Sequence, residues 1–294
     1  MTRHICIIKT YLIMKNTITI LCLLIAVSIG AQNFQGKAIY KTSRKMNVNF
    51  ASGNGVEMSE ADKEKMQKRL SKQFQKTFVL SFDKTSSVYK QDATLKSPNV
   101  IPTGGMNVMV REVGGGGGTD VLFKNIKKDK YLNQTEIMGK RFLIKDKLQK
   151  YDWVMTSETK NIGKYTCYKA TYTRQEERTN MSVVNGDVKE KTEKVDVVTI
   201  AWYTPQIPVS NGPRNFHGLP GLIMEIKEGN ETIMCTEIVM KPKEKIEIVE
   251  PTKGKVVSQE KYRKIMDKKS KEMMEQFKSR RNSRGNNVHI RIGG

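Results

Sequence analysis

The chain has 294 residues, with 52 lysines and arginines against 30 aspartates and glutamates, a formal net charge of +22. The bases are spread along the chain and interleaved with acids, as in Lys241 to Glu247. This distribution argues against a specific nucleic-acid site and for a solvated basic surface with non-specific attraction to anionic surfaces.

The N-terminus is read first. A basic start containing Lys15 precedes the apolar run Ile18 to Ile29, and Gly30, Ala31 and Gln32 follow. Positive, hydrophobic and small residues in that order describe a signal peptide cleaved after Ala31, and a run of about a dozen residues is short of the roughly twenty that cross a bilayer. Met14 is an alternative start to Met1, since MKNTIT makes a shorter basic region. Loss of residues 1–31 removes Arg3, Lys9 and Lys15 and no acid, which leaves 49 bases, 30 acids and a net +19.

The mature part then divides into a β-rich domain over 32–250 and a basic C-terminal extension over 251–294. Gly36 to Thr42 alternates as a strand does, and Ser59 with Asp62 opens an amphipathic helix carrying Met66, Leu70 and Phe74 on one face. Phe78 to Gln91 reads as a hairpin around Asp83 to Ser87. Residues 97–118 hold two prolines and five consecutive glycines, a composition that predicts a flexible insertion.

Short strands follow at Val121–Phe123, Lys130–Leu132, Arg141–Ile144 and Lys160–Thr173, punctuated by Asp146, Asn161 and Gly163. The polar stretch Glu176 to Glu193 is expected as an exposed excursion between paired strands, and Val195 to Tyr203 as a strong strand. Ser258 to Lys278 has near-helical spacing at Tyr262, Ile265, Met266, Met273 and Phe277, with packing across a sheet its expected fate. The tail from Ser279 is expected to be disordered. Together these elements predict a β-rich α+β fold: a curved antiparallel sheet or open half-barrel with one or two packed helices.

Cys167 and Cys235 remain after processing, and an oxidising compartment makes a disulfide between them one alternative, two buried free thiols the other. The histidines of the mature part are His217 and His289, so no two-histidine metal site or Ser-His-Asp arrangement can be assembled. His217 with Glu225 is the one polar pair to weigh as a site. No cofactor and no metal is expected.

The most distinctive stretch is Trp202 to Ile226. Pro205 and Pro208 stop strand pairing, Gly212 and Pro213 make a turn, and Gly218, Pro220 and Gly221 constrain the connection into Leu222 and Ile223. Leu219, Leu222 and Ile223 are apolar enough to plug a core. The hexapeptide Gly218, Leu219, Pro220, Gly221, Leu222, Ile223, with Trp202 and the Gly212–Pro213 pair ahead of it, resembles the GLPGLI family of exported proteins from Gram-negative bacteria. The resemblance implies a periplasmic or extracellular protein of uncharacterised activity and brings no catalytic residues with it. The chain departs from that pattern in its five-glycine run and at Arg214, where a bulky residue is frequent.

Two classes of function follow. One is a non-enzymatic envelope protein binding a lipid or other apolar ligand, a peptide or an outer-membrane partner, with an accessory subunit of an outer-membrane transporter as a variant of it. The other is a hydrolase with its site near His217.

Overall fold

The structure, a computed structural model, describes residues 34–44, parts of 59–68, 75–92, 102–103, 106–107, 120–184, 187–244 and 246–282. The expected signal peptide, the stripe of Met66, Leu70 and Phe74, most of 97–118 and the tail beyond residue 282 lie outside these residues. Helix at 60–62, 64–65 and 68 begins where the sequence places its cap: Ser59 Oγ accepts from Asp62 N at 3.2 Å and donates to its carboxylate at 2.7 Å.

Among the described residues one open sheet of twelve strands dominates. Its strands are β1 (Gly36–Arg44), β2 (Thr77–Phe82), β3 (Ser86–Gln91), β6 (Val121–Asn125), β7 (Lys130–Ile137) and β8 (Lys140–Asp146), then β9 (Val154–Ile162), β10 (Tyr165–Val184), β11 (Asp187–Thr204), β12 (Leu222–Glu228), β13 (Glu231–Met240) and β14 (Lys255–Val257). The short strands β4 (Pro102–Thr103) and β5 (Met106–Asn107) pair with each other. Across the sheet the order is β14-β8-β7-β6-β3-β2-β1-β13-β12-β11-β10-β9. Every neighbour is antiparallel except β14 against β8. The β-rich expectation holds, and the single open sheet is larger than a half-barrel.

Three elements differ from their expected form. Lys160–Thr173 is two strands, because Gly163 takes φ 59° and turns the chain between β9 and β10. The excursion at Glu176–Glu193 is itself a ladder: opposite charges face each other at Glu177/Lys194, and pairing runs on to Val184/Asp187. β14 is an edge strand within the segment read as an extension, and the helix Gln259–Asn282 follows it. That helix does pack on the sheet, through Tyr262 and Ile265 against Phe142, Ile144 and Val257. Its start is fixed by Asp146, whose carboxylate accepts from Gln259 N at 3.0 Å.

β10 and β11 outrun their neighbours. β9 pairs with β10 only as far as Thr171, and β12 pairs with β11 only from Thr199 onward. The rest forms a two-stranded arm about 40 Å long at roughly 3.3 Å per residue. Its root is tied to β12 by Arg174, which grips the Glu228 carboxylate with two N–H groups at 2.6 and 3.0 Å. Those bonds and Thr199 hold the Glu228 carboxyl below its ordinary value.

Candidate functional site

Residues 205–221, between β11 and β12, lie on the sheet face that carries Ala38, Tyr40, Leu80, Tyr89, Leu122 and Ile226. Ile207, Val209, Phe216 and Leu219 join those side chains in the main core and are almost fully buried. The loop reaches far across the sheet. Lys124 on β6, five strands from β12, donates through Nζ to the carbonyls of Gly212 and Phe216, both at 2.9 Å. Its ammonium is completely buried, and desolvation pushes its pKa well down.

The backbone of the loop is closed on itself and on the sheet. Leu222 N donates to Ile207 O at 3.0 Å and Ile223 N to Asn211 O at 2.9 Å, while Ile223 O accepts from Tyr40 OH at 2.7 Å. Gly218 N finds Ser210 Oγ at 3.0 Å, and Trp153 Nε1 donates to His217 O at 2.8 Å. Pro213 O accepts from Phe216 N at 3.2 Å.

Each motif glycine has a steric reason. A Cβ on Gly212 would stand 2.7 Å from that of Ile223, and one on Gly221 would stand 2.2 Å from the Thr204 carbonyl oxygen. Gly218 takes φ 98°, a region that side chains rarely adopt. Arg214 has a partner of its own: its guanidinium makes a two-pronged bond to Glu231 at 2.6 and 2.8 Å.

His217 and Glu225 are not brought together. Trp202 and Glu225 face each other across β11 and β12, as do Ala201 and Ile226, so Glu225 shares the side of Trp202 and opposes that of Ala201. There Glu225 pairs with Lys160, whose ammonium also sits 4.4 Å from the Trp202 ring centre. His217 stands on the loop side, edge-on to Tyr151 at 5.5 Å between ring centres, within the ring cluster of Trp153, Tyr172 and Phe216. Its Nε2 is buried with no partner among the described residues. Burial and the Lys124 charge push its pKa down to about 4, against a backbone hydrogen bond with Gln149 and the charge of Asp129.

The ring is therefore neutral in the folded protein at neutral pH, packed among these aromatic rings. As pH falls below 6.5 the unfolded chain takes up the proton first, so stability is full above 6.5 and drains away down to about 4. The loss is expected to reach about 3 kcal/mol. In urea titrations across that window His217→Phe is expected to flatten the decline; a decline as steep as in the parent would contradict the assignment.

Cys167 and Cys235 are free and buried. They stand on β10 and β13, with β11 and β12 between them. The two thiols are unbridged in this structure, as in the free-thiol alternative. Each Sγ donates to a carbonyl two residues away, Tyr165 at 3.6 Å and Glu237 at 3.5 Å. Burial pushes the thiols up to about 11 and about 12 respectively, so neither is a ready nucleophile. Among the described residues no three histidine, cysteine or carboxylate side chains converge to hold a metal ion.

Lys124 and Tyr40 were not singled out by sequence reading, although they anchor the loop. The only local signal was a lysine inside the apolar strand VLFKN, on the same side as Leu122.

A family model described as a protein of unknown function (Porph_ging) matches residues 153–225, from Trp153 to Glu225. It covers Trp153, Tyr172 and Phe216 of the aromatic cluster, the arm and the whole loop. No curated protein matches the chain. Among solved structures the chain is similar to PNGF-II in its C2 and P21 crystal forms, with a TM-score of 0.45 and 13% identity in both, over 79% of this chain. The match covers 32% and 33% of those chains, so this chain spans about a third of their length.

Proposed function

We propose that this is an exported, envelope-associated protein that acts without catalysis, by binding an extended peptide or a protein partner through strand addition at β9. The observation that carries the reading is the free edge there. Among the described residues β9 ends the sheet, and the outer edge of β10 continues unpaired beyond Thr171. Unpaired N–H and C=O groups along such an edge are a template for another strand. Val154 and Met155, 64% and 58% exposed, offer apolar contacts beside it.

A lipid carrier would need an open apolar face, and here residues 205–221 occupy the core side of the sheet. The hydrolase alternative has no observation in its favour, since His217 and Glu225 lie on opposite sides of β12. Export itself rests on the Lys15 to Ala31 pattern, and the envelope-recovered protein is expected to begin at Gln32; a mass spectrum retaining Ile18 to Ile29 on a cytosolic protein would remove this part of the reading.

The binding reading is tested by a photo-crosslinking residue at Ser157 on β9, with Lys127 in the β6–β7 turn as control. A discrete protein adduct formed from Ser157 and absent from Lys127 is the expected result. No adduct, or the same pattern from both positions, would sink it.

A further inference from the structure

The sheet side opposite the loop is finished in one half and left open in the other. Over β3, β6, β7 and β8 it carries Val88, Phe123, Leu132 and Leu143, and Ile248 of the following segment covers them. Over β1, β13, β12, β11 and β10 no described segment does the same. Cross-strand partners share a side, which lines up Val154, Thr171, Ile200 and Lys227 in one row and Lys169, Trp202, Glu225, Met234 and Lys41 in the next. Val198 stands two residues from Ile200, and Val239 faces Lys37.

Four of the most exposed apolar side chains thus fall on this one side: Val154 at 64%, Val198 at 47%, Met234 at 39% and Val239 at 38%. Trp202, Ile200 and Ile39 are half-buried among them. Lysines surround this apolar ground. Lys160 is paired with Glu225 and Lys169 with Glu158, which leaves Lys37, Lys41, Lys90 and Lys227 against Asp196 and Glu237. Lys41, Lys90 and Lys227 are exposed.

We propose that this open side is a docking surface for an anionic phospholipid bilayer. Exposed apolar side chains gathered on one uncovered face mark an interaction site. A membrane fits it better than a protein because the excess charge is carried by long, mobile lysines around the apolar ground, which snorkel to phosphate while Val198, Met234 and Trp202 enter the headgroup boundary. The surface shares Val154 with the β9 edge, whose backbone N–H and C=O groups point along the sheet and not out of this face, so a lipid-bound molecule keeps them free for a partner.

The test is co-sedimentation with vesicles containing phosphatidylglycerol and with vesicles of phosphatidylcholine alone. All variants share one N-terminus, so the apolar run at Ile18 to Ile29 contributes equally to each. Binding is expected to require phosphatidylglycerol and to weaken with salt. Lys41→Glu, Lys90→Glu and Lys227→Glu together are expected to lower it at least tenfold, given the attraction each lysine makes near an anionic surface. Val198→Thr with Met234→Ser is expected to lower it severalfold with the melting temperature unchanged. Reversal of Lys261, Lys268 and Lys271 on the C-terminal helix is expected to leave it within twofold. Equal loss from the helix reversal, equal binding to phosphatidylcholine, or no vesicle binding at all would overturn the proposal; the last would leave the surface to a protein.

Discussion

Gly221→Ala is expected to lower stability by about 3–5 kcal/mol, among the largest losses available to a single methyl group. The methyl would be forced to 2.2 Å from the Thr204 oxygen, 2.5 Å from its carbonyl carbon and 2.9 Å from Pro205 N, all backbone atoms at the end of β11. Backbone cannot swing aside as a side chain can, so either β11 or the first residues of β12 must shift. Those residues hold the two hydrogen bonds that close the loop, Leu222 N to Ile207 O and Ile223 N to Asn211 O. In a domain of this size the melting temperature would fall by roughly 10 °C. Gly139→Ala is the control. A Cβ there meets nothing within 4 Å, and its φ of 79° leaves backbone strain of order 1 kcal/mol as the cost. Equal melting shifts for the two variants would show that the motif glycine is not held by its surroundings.

Lys124→Met should be nearly as damaging, for a different reason. Methionine fills most of the space but donates nothing, so the Gly212 and Phe216 carbonyls lose their common partner in the core. An unmet buried acceptor costs about 1–3 kcal/mol, and relief from burying an ammonium offsets part of the total. A net loss of about 2–4 kcal/mol is expected by urea unfolding. The pH signature separates this from loss of packing. The folded pKa of Lys124 lies below the ordinary 10.5, so between those two values the unfolded chain holds the proton and the folded chain does not. Stability is therefore expected to rise with pH toward 10.5 in the parent, and Lys124→Met should lose this rise. A variant as stable as the parent, with the same alkaline slope, would show that the lysine does not anchor the loop.

What could be read from the sequence was local. The hairpin of β2 and β3 was visible because its turn carries its own hydrogen bonds, Asp83 Oδ1 accepting from Thr85 N and Ser86 N at 2.7 Å. The helix starts at Ser59 and Ser258 announce themselves through caps spaced three residues apart. The prolines and glycines of 205–221 likewise predicted a constrained path, and Leu219, Leu222 and Ile223 its apolar filling. What escaped depends on distance along the chain. Lys124 meets its acceptors 88 and 92 residues later, and β14 has three residues whose identity as a strand comes from β8. The arm was hidden by its polarity, since the run Glu176 to Glu193 offers almost no apolar alternation to betray it. His217 and Glu225 sit eight residues apart, yet the period of β12 decides which side Glu225 faces.

The account depends on residues 205–221 being a fixed plug of the sheet rather than a mobile lid over a site. Amide hydrogen exchange at Leu222 and Ile223, compared with Tyr40 in the central strand β1, asks this directly. If the plug is built in, the loop-closing amides exchange no faster than that of Tyr40, and only through global opening. Exchange at Leu222 and Ile223 orders of magnitude faster than at Tyr40, in an otherwise protected sheet, would contradict it.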